Sequence, residues 1–479
     1  MSDVNLDFSP AQRSQLVNLI LNYITDTVVA EHPTLDHFDR HLFTHHEQYI
    51  AKLEIYLRAN GGAQFVPLPM WNAANPIPPE FNVVKARDDG SARPPLQNLN
   101  PNQPKPAQFG ASQVCSFADA DALGNAMNGW HGGVHGSIGG TMGSIASASA
   151  APIFWCWHKF VNTIYEDWLR CGGSCQFMIQ SRFGSRGNFE LLVPRPRTGG
   201  FNAYWRNNDS GAFPWNGPAG FGDTVGDAST QIALIQGNFG QNLEAVARVG
   251  NRLAHFWRMS GPPWTWNGPF FFGSGVSGNP SFVQGRFGQR GNFELVVPRA
   301  AGGIAHYWRN NDLSSFPWSG EAVFGTSVGR VNSVALIQGN FGTPGNLEVV
   351  ARVGSRLAHF WRQSGPPWTW SGPTWFFDGA AGGPGFIQGR HGTKGNFELV
   401  TPVAAGRLAH LWRNNDVGTF PWSGAALFGR GRPVAVSLFQ GNFGTPGNLE
   451  VAAWGEGRAA IYWRQGGPPW TWSGPTAYV

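Results

Sequence analysis

Histidine is the residue type whose spacing in this chain points most directly to chemistry. His131 and His135 are four positions apart, so on a helix they share one face and can hold one metal ion. His158 lies 23 residues after His135, inside the otherwise apolar run APIFWCWHKFVNTIYEDW at 151–168. Phe154, His158, Val161, Tyr165 and Trp168 recur at helical spacing, which turns His158 inward with the apolar stripe. Leu42, His46, Tyr49 and Leu53 do the same for His46, and His37 lies nine residues before it. A lone inward histidine is ordinarily a core residue whose ring nitrogens find polar partners. Several buried imidazoles converging in one small domain satisfy one another poorly unless a cation sits between them. Neutral imidazoles suit copper in both of its oxidation states.

Helices must aim these side chains. Ser9-Pro10-Ala11-Gln12 is a capping box with proline at the first helical position. Leu16, Leu19, Ile20, Tyr23 and Ile24 then form one apolar face, and His32-Pro33 is expected to end that helix. A second helix is expected from about Thr34 to Leu57, a third near Ala118–Val134 and a fourth near Pro152–Trp168. The Pro-, Asn- and Gly-rich stretches at 61–84 and 93–110 read as long connections with little regular structure.

The segment HGGVHGSIGGTMGSIASASAAPIFWCWHKFVNTIYEDW at 131–168 carries a His-x3-His pair, a Gly-Gly-x-Met step, a Pro-x-Phe-Trp step and a later histidine. It resembles the second copper-binding segment of the tyrosinase and polyphenol oxidase family. The segment HFDRHLFTHHEQYIAKLE at 37–54 resembles the first copper-binding segment through the spacing of His37, His46 and Glu54. The resemblance implies that His131, His135 and His158 bind one copper. It implies His37 and His46 on the other, with Glu54 supporting the helix. The third ligand of that site stays open: His32 is the nearest upstream candidate, and His41 and His45 are the alternatives. What it implies is a type-3 centre that passes electrons from a bound phenolic substrate to O2. The metal supplies the redox step, while the protein fixes geometry, excludes water and shapes the pocket. Three positions depart from the family pattern. Trp157 stands where the family has a histidine next to His158, and Asn162 stands where it has aspartate. Gly132 stands where monophenol-hydroxylating members often have asparagine, which implies catechol oxidation in preference to tyrosinase-type monooxygenase activity.

The composition changes near Cys171, after which a text recurs. YWRNND at 204–209 returns at 307–312 and as LWRNND at 411–416, and FWRMSGPPWTW at 256–266 returns at 360–370 and 462–472 in close variants. The tryptophans of the Trp-Arg pairs are Trp205, Trp257, Trp308, Trp361, Trp412 and Trp463, spaced 51 to 53 apart. Each unit carries one glutamate in register: Glu190, Glu244, Glu294, Glu348, Glu398 and Glu450. Six units in three odd–even pairs, each with four short alternating strands, predict a six-bladed β-propeller. His255, His306, His359 and His410 recur in the third strand, with Ala203 and Ile461 in their place in the first and last units. A residue present in every blade ordinarily holds blades together. The functional reading is sugar binding, since aromatic faces pack on pyranose rings and amides bind hydroxyls. The repeats resemble those of bacterial and fungal propeller lectins.

The whole chain of 479 residues is too long for one compact domain on ordinary priors, and its 22 tryptophans and 65 glycines favour β-rich repeats. A formal charge of +5 with no Lys/Arg block excludes a nucleic-acid binder. The sequence has no secretory leader pattern and no membrane-spanning run, so a cytoplasmic protein or export by another route is expected. Cys115, Cys156, Cys171 and Cys175 are too few for a disulfide scaffold, and pairing of Cys171 with Cys175 stays open. The expectation is a multidomain α plus all-β protein: a helical type-3 copper domain at 1–171 that oxidises o-diphenols, and a propeller at 172–479 for a glycan or protein partner. The rival reading is a non-enzymatic, lectin-like binding protein with a degenerate copper domain.

Overall fold

Histidine-bearing helices come first in the chain and turn-punctuated strands second, and the folded chain divides along the same line. The structure is a computed structural model that describes residues 2–110, 113–117, 120–172, 176–195, 199–225, 228–404, 406–430, 433–455 and 458–476. Two compact units divide it, Met1–Trp168 and Leu169–Val479. Cys175 lies outside the described residues, and with it the Cys171–Cys175 pairing.

The first unit contains helices α1 (Pro10–Tyr23), α2 (Asp26–Glu31), α3 (His41–Ala59), α4 (Ala120–Ile138) and α5, which begins at Pro152. The capping box forms as expected: Ser9 and Gln12 exchange hydrogen bonds at the start of α1. The first helix stops earlier than the sequence suggested. Ile24 is extended, and the Thr25 side chain accepts from the Val28 N–H and caps a new short helix. His32 keeps helical dihedrals although Pro33 follows, and the chain passes into a 3-10 turn at His32–Thr34.

The second predicted helix also starts later, at His41 rather than Thr34. Side chains compete for the backbone before it: Asp36 accepts from the Phe38 N–H at 2.9 Å and Asp39 from the His41 N–H at 3.0 Å. Asp39 has φ of 48°, which no α-helix can contain. His37 therefore sits on a loop and not near a helix start. The third helix runs one turn past its expected end, to Ile138; its expected first residue, Ala118, lies outside the described residues. Residues 60–110 hold only short 3-10 turns.

The second unit is a propeller of six four-stranded antiparallel blades. Each blade is contiguous in sequence; the last runs from Ala435 to Ser473 and borrows no strand from the first. The innermost strands are Met178–Gln180, Ala228–Gln236, Ser281–Gln284, Ser333–Gln338, Gly385–Gln388 and Ala435–Gln440, each packed on the next, the last on the first. Apolar cores lie between successive blades. Phe177, Phe189 and Leu191 of the first blade meet Val434, Ala452 and Ile461 of the last, which closes the ring. Ser437 Oγ reinforces that seam by bonding the Met178 N–H and C=O at 3.0 and 2.9 Å.

The recurring glutamates and arginines do hold blades together. Glu244, Glu294, Glu348 and Glu398 accept from His255, His306, His359 and His410 of their own blades at 2.7–2.8 Å. The arginine of each blade faces the glutamate of the blade before: Arg258 lies 3.8 Å from Glu190 and Arg464 3.9 Å from Glu398. Arg206 of the first blade faces Glu450 of the last. Aromatic stacking repeats the link at the outer strands, with Phe324 on Trp370 at 3.9 Å and Phe428 on Trp472 at 4.0 Å between ring centroids.

Candidate metal centre

The 3-10 turn, the loop before α3 and α3 itself each deliver one imidazole to a common point. His32 Nε2 lies 2.9 Å from His37 Nε2 and 3.2 Å from His46 Nε2. Helices α4 and α5 build a second triad: His158 Nε2 lies 3.4 Å from His131 Nε2 and 3.3 Å from His135 Nε2. The two triads adjoin, because the His46 and His158 rings stack with centroids 4.0 Å apart. His46 and His158 are fully buried, His32 and His131 nearly so, and His37 and His135 keep an exposed edge.

The outward nitrogens fix the tautomers. His32 Nδ1 donates to the Ile145 carbonyl at 2.8 Å, His37 Nδ1 to Leu35 at 2.7 Å, His46 Nδ1 to Leu42 at 2.7 Å and His135 Nδ1 to Met142 at 3.0 Å. A neutral imidazole that donates from Nδ1 has a bare lone pair on Nε2. In the first triad, lone pair therefore faces lone pair at about van der Waals range or closer. Protonation is no remedy there: burial, then the neighbouring imidazoles, pushes His32 down to about 3 and holds His46 well below its ordinary value. Burial likewise brings His135 to about 4 and lowers His131 and His158 strongly. A cation at the centre of the first triad would turn this repulsion into bonding. Three imidazole nitrogens, in the first triad all with carbonyl-anchored second nitrogens, are a donor set suited to copper, zinc, iron or nickel.

The surroundings are aromatic. Phe154 places its ring 4.2 Å from His158 and 4.7 Å from His32, centroid to centroid. Trp157, in the place next to His158, is buried in the contact of Trp71 and Trp130. Glu54 accepts from the Leu68 N–H at 2.9 Å and faces Lys159 at 3.7 Å, so it ties α3 to the following loop and to α5. His41 and His45 join neither triad: His41 pairs with Asp39 at 2.6 Å, and His45 accepts from the Asp36 N–H at 3.0 Å. The carbonyls of Leu35, Ile145 and Met142 that orient the imidazoles escaped sequence reasoning, because a backbone acceptor has no residue signature. Leu42 alone was findable, lying one helical turn before His46.

Residues 91–171 match the family model for the common central domain of tyrosinase. That tyrosinase match contains the second triad and stops short of the first. No curated protein matches the chain. Among solved structures, the propeller region is similar to the BP39L lectin from Burkholderia pseudomallei, at 19% identity and a TM-score of 0.48, over 64% of this chain and 85% of that one. It is similar also to the fucose-specific lectin from Aleuria aurantia, at 14% identity and a TM-score of 0.46, over 63% of this chain and 95% of that one.

Proposed function

We propose that residues 1–171 form a type-3 copper oxidoreductase domain that oxidises o-diphenols with O2, joined to a binding propeller at 172–479. The observation that carries this reading is the pair of adjoining histidine triads with converging Nε2 atoms, one of them inside the tyrosinase match. His32, His37 and His46 would hold one copper and His131, His135 and His158 the other. When bound, the copper pair supplies the two-electron exchange between substrate and O2. The chain's own residues do the rest. Carbonyls of Ile145, Leu35, Leu42 and Met142 keep His32, His37, His46 and His135 in the ligating tautomer. Phe154, fully buried, packs beside both triads and keeps water from them. Gly132, with no side chain to bind or orient a phenol, supports oxidation of catechols over hydroxylation of monophenols.

The test is copper loading of the full chain with O2 uptake on 4-methylcatechol and p-cresol. Two coppers per chain and catechol turnover at least tenfold faster than cresol turnover are expected. One copper or none, with no uptake, rejects the oxidase and leaves the binding protein with a degenerate copper domain.

A glycan reading of the propeller rests on three recurring clefts. Trp264, Trp368 and Trp470 are 43–46% exposed, and beneath them Arg258, Arg362 and Arg464 each keep an Nε–H without a partner. Each arginine lies 5.3–5.7 Å from its tryptophan ring and faces a glutamate of the preceding blade. An aromatic face beside a charged donor and acceptor matches a sugar's apolar face and hydroxyls. A glycan array on the full chain, repeated with all three tryptophans changed to alanine, should show ligands that the variant loses. An array blank for the parent refutes it.

A further inference from the structure

The propeller axis holds a cavity of about 500 Å³, within the size range of small-molecule sites, about 300–1,000 Å³. All six inner strands line it. Its wall is about half apolar, and the apolar part includes Ile179, Ile235, Val283 and Ile387, which are only half-buried in it. The lining contains no acidic residue.

One mouth is built to a plan that the sequence repeats three times. Gln180, Gln236, Gln284, Gln338, Gln388 and Gln440 end the inner strands. Each accepts on Oε1 from the backbone N–H two residues past the glutamine of the preceding blade, at 2.6–2.9 Å, and the six bonds close a ring. The residue giving that N–H alternates. It is Asn238, Asn340 and Asn442 in the even blades and Arg182, Arg286 and Arg390 in the odd ones. The three arginines are exposed, and among the described residues none has an acidic partner. Each is steadied by a neighbouring blade: Arg182 Nη2 donates to the Gly237 carbonyl at 2.8 Å, and Arg286 and Arg390 Nε donate to the Pro344 and Pro446 carbonyls at 2.8 and 2.7 Å. A guanidinium carries five N–H groups, so donors remain on each.

Three like charges without acidic partners repeat about one axis, Arg182 and Arg286 of them lining the cavity itself, and each is held in place by its tether to a neighbouring blade's carbonyl. An anion supplies the missing partner, and guanidinium geometry favours a carboxylate, which it meets with two parallel hydrogen bonds. The geometry points to a binding site for an amphipathic carboxylate, its head at the ring of Arg182, Arg286 and Arg390 and its apolar body in the axial cavity. The cavity gives the apolar part the free energy of leaving water, and the ring selects the sign of the head. The site is independent of the triads and of the tryptophan clefts.

Calorimetric titration of the full chain with decanoate, acetate and decyltrimethylammonium tests it. One decanoate per chain is expected, bound at least tenfold more tightly than either other probe. Arg182→Gln/Arg286→Gln/Arg390→Gln should weaken decanoate at least tenfold, and Val283→Phe, which fills the cavity and spares the ring, should do the same. His158→Ala and Trp264→Ala should leave it unchanged. No saturable decanoate binding, equal binding of the cationic probe, or acetate as tight as decanoate overturns the proposal. So does full binding in Val283→Phe, which decides the matter if the triple variant fails to fold.

Discussion

Under the proposed function His158 is a ligand of the second triad, and its surroundings set it apart from a satisfied core histidine. Its Nε2 faces His131 and His135, its Nδ1 has no partner, and its ring stacks on His46 of the other triad. Replacing it with alanine should take copper from two per chain to one and lower catechol oxidation at least a hundredfold, with fold retained by circular dichroism. Unchanged stoichiometry would remove His158 from the ligands. The propeller offers a contrasting case. Glu450 has Ile461 where four other blades supply histidine, and burial pushes its carboxyl up to about 8. The unfolded carboxyl titrates near its ordinary 4.5, so between these values the folded state holds the extra proton. Stability from this group is therefore full below pH 4.5 and lost as pH rises toward 8. Glu450→Gln, which fixes the neutral form, should flatten that slope and raise the melting temperature at pH 8 by a few degrees. A parent whose melting temperature rises from pH 5 to 8 contradicts this.

At the scale of elements, the two triads depend on how closely α4 approaches the loop before α3. Gly124 makes that approach: a Cβ there would lie 1.7 Å from the Asp39 carbonyl oxygen. Asp121, one turn earlier on α4, pairs with Arg40. Gly124→Ala should force the loop carrying His37 away from α4, cost about 1–3 kcal/mol as overpacking does, and weaken copper retention in the first triad before the second. Equal retention in both would show that the loop adapts. Ser9→Ala, by contrast, removes one exposed cap and should cost about 1 kcal/mol without changing metal content. What was legible in the sequence divides along the same line. The strand text and the His131–His135 and His46 stripes could be read because periodicity survives in a single chain. The breaks at Ile24 and before His41 could not, since they come from Thr25, Asp36 and Asp39 outcompeting helix hydrogen bonds. The place of His32 was open for the same reason: His32 and His37 meet through a turn and a loop, where spacing along a helix carries no information.

At the scale of the molecule, the propeller is a ring with one seam. Five of its interfaces join blades already linked by the chain, whereas the blade of Ala435–Ser473 meets the first blade only by contact. That seam rests on Ser437, the Gln180–Asn442 bonds and the apolar contact of Phe177 and Phe189 with Val434 and Ile461. Local opening draws on the least secured interface. Hydrogen exchange should therefore be faster in Met178–Gln180 and Ala435–Gln440 than in Ser333–Gln338. Uniform protection of all three would show that the seam is as strong as the linked interfaces.

Because no blade exchanges a strand with another, the division into odd–even pairs is more than a pattern in the text. A segment such as 281–378 contains one odd and one even blade, complete with all their strands. Its trailing face is made to meet the leading face of another copy, and a head-to-tail contact whose rotation closes gives a ring and not a filament. Three short chains could thus do the work of one long one. The propeller can be regarded as a covalently joined trimer, in which the linkers set assembly order and free each pair to diverge in sequence.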